Sequence, residues 1–192
     1  MFAESANAHR LTFCNSGASY PIDLVPFDGV QVNDEIAWPP GGDFVMNVSG
    51  YRDAHSSALR VEIAPGFQVN IVSLSVMVVL KILAWNDRPE RDKHASDIFL
   101  ILANYCRAGQ FDRMYNDASD LLEQYDYDFA QTGAALLGRD ARRDIIENTL
   151  AQVRNVFDSE KRFDRFSSQM IRASHGEQEQ AVLLLSAFLR EL

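Results

Sequence analysis

The chain has 192 residues, apolar side chains at 47% of positions and a formal charge of −9, enough for one ordinary domain or for a small sheet unit joined to a helical unit. The acid excess argues against a general polyanion binder, because phosphate contacts need clustered Lys and Arg. Cys14 and Cys106 match neither a disulfide framework nor a CxxC metal pattern, the N-terminal MFAESANAHR has no apolar core behind a basic start, and no apolar run approaches membrane-spanning length. Together these predict a cytoplasmic protein with reduced thiols and no membrane partner.

Charge is unevenly spread. Residues 1–72 hold 3 basic and 8 acidic side chains, residues 73–110 hold 5 and 4, and residues 111–192 hold 10 and 15. The middle segment is therefore the best place to receive phosphate.

From Leu11 to about Ile71 the punctuation is that of short strands. LTFC is followed by the SGAS turn, the apolar run YPIDLVPF, Asp28-Gly29 and Pro39-Pro40-Gly41-Gly42. In LRVEIAPGFQVNIV, Leu59, Val61 and Ile63 alternate with Arg60 and Glu62, and Phe67, Val69 and Ile71 alternate with Gln68 and Asn70. Ala64-Pro65-Gly66 between them predicts a hairpin loop.

Ser73 is placed to cap a helix running to about Trp85, where Asn86, Asp87 and the Arg88-Pro89 pair stop it. Apolar nearly all round, that helix belongs in a core. A second helix is predicted from about His94 to Cys106, with Asp92 or Ser96 as cap. Beyond Gly109 every segment has a helical period: Phe111 to Tyr125, Phe129 to Leu137 closed by Gly138, a helix capped by Asp140, and two more through Met170 and Leu189. The predicted class is α+β, a mixed sheet with packed helices in residues 1–109 and an all-helical part in residues 110–192.

Two charged residues stand in apolar settings. Asp23 lies in YPIDLVPF between Ile22 and Leu24. An acid in such a strand is either a polar residue on a solvated face or, pointed into a cleft, a general base or a ligand for a hard cation such as Mg²⁺. Lys81 is the one charge among about a dozen helical residues, and the positions three and four away are Val78, Met77, Ala84 and Trp85, so no local acid pairs with it. It reads as a snorkelling lysine or as an ammonium that reaches a substrate phosphate. His9, His55, His94 and His175 are isolated from metal-ligand spacing, and no nucleophile elbow or Gly-rich phosphate loop is present. Arg139, Arg142 and Arg143 with Lys161, Arg162 and Arg165 could touch RNA, although interspersed Asp140, Asp144 and Asp164 suit a solvated helix surface.

YPIDLVPFDGV, the IAWPP segment, MNVSGY, LKILAWNDRP followed by Asp97, and GAALLGRD together resemble the nucleotidyltransferase-like proteins of the abortive-infection AbiEii/AbiGii toxin group, within the DNA polymerase beta-like superfamily. The resemblance covers most of the chain in order. It implies a cleft where a nucleoside triphosphate and Mg²⁺ or Mn²⁺ meet. There Asp23 would be a catalytic metal carboxylate and Lys81 would contact phosphate, with Arg88 and Asp97 near the nucleotide end. The reaction implied is nucleotidyl transfer to a hydroxyl or phosphate acceptor, which could be RNA, in a toxin–antitoxin setting with an antitoxin partner.

The chain departs from the family in two places. Members begin with a Gly-Ser turn and an Asp-x-Asp strand, whereas Glu4 is the one acid before Asp23 here. A single carboxylate cannot hold two metals, so this chain alone is expected to catalyse little, as a truncated member or as a degenerate one that serves protein interaction. The second departure is His94, which stands where related sequences carry an acid.

Overall fold

The computed structural model describes residues 2–4, 9–39, 41–172 and 177–192, so His175 lies outside the described residues. The chain is α+β and divides into two compact units, residues 1–52 and 53–192.

In the first unit, strands β1 (Phe2–Glu4), β2 (Arg10–Asn15) and β3 (Ala18–Asp23) form an antiparallel meander. The β2–β3 turn is built on Ser16 and Gly17, both at positive φ. The register sets Arg10 opposite Asp23 and Phe13 opposite Tyr20. Two short strands, β4 (Glu35–Ala37) and β5 (Val45–Asn47), make a separate antiparallel ladder, followed by α1 (Tyr51–Ser56) at the junction of the units.

The second unit begins with a lone hairpin, β6 (Leu59–Ala64) with β7 (Phe67–Ile71), and continues as helices. Pro65 and Gly66 make its loop; Gly66 has φ 73°, which fits the second central position of a type II turn. The expected mixed sheet is thus corrected to three small antiparallel ladders among the described residues. Hairpins close through local turns, whereas a mixed sheet needs long crossovers that these short connections do not supply.

Helix α2 (Leu74–Asp87) starts where expected, with the Ser73 hydroxyl accepting from the Val76 N–H at 3.3 Å. Val76, Val78, Val79, Ile82 and Trp85 are fully buried, each such side chain contributing about 1.5–3 kcal/mol relative to exposure. α3 (Lys93–Asn104) follows and passes into a 3-10 turn, Tyr105–Arg107. Then come α4 (Phe111–Asn116), α5 (Ser119–Gln124), α6 (Phe129–Asp144), α7 (Glu147–Val156), α8 (Glu160–Met170) and α9 (Gln178–Glu191). One continuous core joins α2 and α3 to the later helices. The boundary expected near residue 109 therefore falls inside a single packed unit.

Helix α6 runs through Gly138 instead of ending there. A Cβ at Gly138 would stand 2.4 Å from the Phe188 carbonyl oxygen of α9, so the residue is glycine to let two backbones meet. Gly133 has a similar role, since a Cβ there would lie 3.0 Å from the Cys106 nitrogen. GAALLGRD is therefore a packing segment. Asp140 likewise caps nothing; it is buried within α6 at 3% exposure.

Candidate functional site

Asp23 ends β3, a strand exposed along its whole length. Antiparallel register places Arg10 across from it, and the guanidinium donates from Nε to Oδ1 at 2.6 Å and from Nη2 to Oδ2 at 2.7 Å. Arg10 holds the Asp23 carboxyl below the usual carboxylate range. The His9 Nε2 stands 4.0 Å from Oδ1. Each oxygen thus already accepts one hydrogen bond from Arg10, and the described residues contain no group of three or more His, Cys, Asp or Glu side chains able to hold a metal. A cation here would share the Asp23 carboxylate with Arg10 or displace it.

Lys81 belongs to the second unit, and its partner is tertiary. The ammonium donates to Asp97 Oδ2 at 2.6 Å, joining the middle of α2 to the first turns of α3. Lys81 is the more sheltered member, its side chain 22% exposed against 38% for Asp97. An ammonium has three N–H donors, and Asp97 is its one acceptor among the described residues.

His94, on the next turn of α3, shares this corner. Its Nδ1 is buried without a hydrogen-bond partner among the described residues. Burial pushes the imidazole pKa down, the Lys81 charge lowers it further, Asp97 opposes, and Lys93 and Arg88 add small lowering effects. Lys81, Arg88 and Lys93 thus lie within electrostatic reach of His94, with Asp97 opposing them. Asp92 occupies the cap position of α3; its side chain makes no capping bond and lies 3.7 Å from the Arg172 guanidinium.

Of the four expected site residues, Lys81 and Asp97 are brought into contact, and Arg88 lies within electrostatic reach of the same histidine. Asp23 stands in the first unit with Arg10. Four of the arginines read as an RNA contact, Arg139, Arg142, Arg143 and Arg162, have internal partners. Arg139 bridges Asp120 and Glu191, Arg142 donates to the Leu192 carbonyl, and Arg162 lies over the Trp85 ring while donating to Val156 and Asn86.

Sequence reading missed a second charged centre. Buried Asp140 accepts from Arg113 at 2.8 and 2.9 Å, from the Tyr105 hydroxyl at 2.6 Å and from Arg143 at 3.0 Å. Burial alone would raise the Asp140 pKa, but the Arg113 and Tyr105 hydrogen bonds outweigh it and hold the group below its ordinary value. Asp53 was missed too: at 2% exposure it keeps Oδ2 without a partner among the described residues.

No family model, no curated protein and no solved structure matches this chain. No helix among the described residues is long and apolar enough to cross a membrane.

Proposed function

We propose that the chain is a nucleotidyltransferase-fold protein that binds the phosphates of a nucleoside triphosphate at the Lys81 corner of its second unit. The observation that carries this reading is the Lys81–Asp97 contact at 2.6 Å, which leaves ammonium donors unspent, with Lys81, Arg88 and Lys93 all within electrostatic reach of His94. A carboxylate holding a lysine by one bond fixes its position without neutralising the corner, and phosphate oxygens are the acceptors such a corner favours. Nucleotide would arrive as its Mg²⁺ complex, with the metal ligated mainly by the triphosphate.

Nucleotidyl transfer to an acceptor, in a toxin–antitoxin or phage-defence role, follows from the family resemblance alone, and Asp23, the strand carboxylate that the resemblance assigns to the metal, is closed by Arg10. That closure favours the second reading, a non-catalytic interaction module in which the fold retains a nucleotide corner or none.

Calorimetry of the whole chain with each NTP and Mg²⁺ separates the two. Binding by the wild type, weakened roughly tenfold or more in Lys81→Ala because a charged hydrogen bond is lost, supports the nucleotide reading. Equal affinity in Lys81→Ala, or no heat with any NTP, leaves the interaction module. Asp23→Asn tests the metal role in the same titration, since a carboxylate that ligates Mg²⁺ would lose affinity and a mere salt-bridge partner would not.

A further inference from the structure

The β6–β7 hairpin is a two-stranded ladder with no third strand among the described residues. Every residue of β6 is exposed, and in β7 Val69 alone is partly covered. Leu59, Val61, Phe67 and Ile71 form an apolar face at 55%, 36%, 58% and 43% exposure. An isolated hairpin is marginal in water, and a free strand edge is a template for another strand.

The order of side chains along β6 says which strand fits. Reading outward from Val61, Arg60 is matched by Glu62 and Leu59 by Ile63. A strand with that symmetry is complementary to a reversed copy of itself. When two such strands lie antiparallel with Val61 against Val61, each Arg60 faces Glu62 of the second copy and each Glu62 faces Arg60. Arg60 has no ion-pair partner among the described residues. Glu62 uses one oxygen on the Gly66 N–H at 3.0 Å and so keeps an acceptor free. The charges that would shield this edge from a foreign strand thereby favour its own copy.

We infer that β6 is a self-pairing edge through which two copies of this chain join about a two-fold axis at Val61. The product is a four-stranded antiparallel sheet in the order β7-β6-β6-β7, with the apolar residues of both hairpins on one side. An isologous contact of this kind closes at two copies instead of growing into a fibre. The register irregularity between Glu62 and Ala64 limits the straight run, so Arg60, Val61 and Glu62 carry the pairing. Such a short contact makes a concentration-dependent dimer and not a permanent one.

Sedimentation velocity on the full chain over a concentration series tests this, with a charge exchange as the decisive arm. The wild type should shift from monomer to dimer. Arg60→Glu or Glu62→Arg alone sets two like-charged pairs across the axis and should weaken the dimer roughly tenfold, and Arg60→Glu combined with Glu62→Arg should restore it. Circular dichroism checks that the helices are unchanged in each variant. A wild type monomeric at every concentration overturns the inference. So does a dimer indifferent to the single reversals, which would place the contact on the apolar face or elsewhere, and so does a double exchange that fails to restore pairing.

Discussion

Asp140 and Asp97 both stand on helices of the second unit and both meet a cation, yet one is saturated and the other is not. Asp140 is buried and receives Arg113, Arg143 and Tyr105 together. Asp97 is more than a third exposed and spends one oxygen on Lys81, which has donors to spare. The first arrangement locks α6 to the segment from Tyr105 to Arg113, and any ligand would have to break it. The second is held firmly enough to be positioned and loosely enough to be used. A charged residue in a helical core is thus informative only once its partners are counted.

The largest expected effect lies at the saturated centre. Asp140→Ala removes the common acceptor and leaves a buried phenol and a half-covered guanidinium without their partner, at a cost of about 3–5 kcal/mol. Urea unfolding followed by circular dichroism would measure it. A loss under about 1 kcal/mol would mean that Arg113 finds another acceptor and that the contrast with Asp97 is unfounded.

A smaller effect is expected with pH at the open corner. His94 is held below its ordinary pKa of 6.5, by burial first and then by Lys81. The unfolded chain therefore binds this proton at higher pH than the folded one. The stabilising contribution is fully present above 6.5 and declines as pH falls from 6.5 through the lowered folded value. His94→Gln should flatten this part of the stability profile between neutral and mildly acid pH, while Asp140 contributes only lower, below its own ordinary value of 3.8. An unchanged profile in His94→Gln would break the assignment.

The smallest effect belongs to Asp23. The pair with Arg10 is exposed and screened by solvent, so Asp23→Asn should leave the unfolding midpoint nearly unmoved. A clear loss of stability would show that the β2–β3 meander depends on that bridge far more than its exposure implies.

Where a feature is local, the amino-acid order already contained it. The alternation on either side of Pro65-Gly66 defines a hairpin because side chains on a strand repeat every two residues. Ser73 ahead of an apolar run defines the start of α2 because a hydroxyl there satisfies a helix N–H. The break at Gly138 failed for the opposite reason: a glycine that ends a helix and one that lets a second helix approach look alike in one dimension. Asp140 was mistaken for a cap because two of its three partners, Tyr105 and Arg113, come from other segments, and the boundary near Gly109 vanished because α2 and α3 share their core with helices far along the chain. Lys81 shows the same divide in a single residue. Its lack of a neighbour at helical spacing was plain from the order of residues, and its bond to Asp97, 16 positions away, exists only because packing lays α3 beside α2.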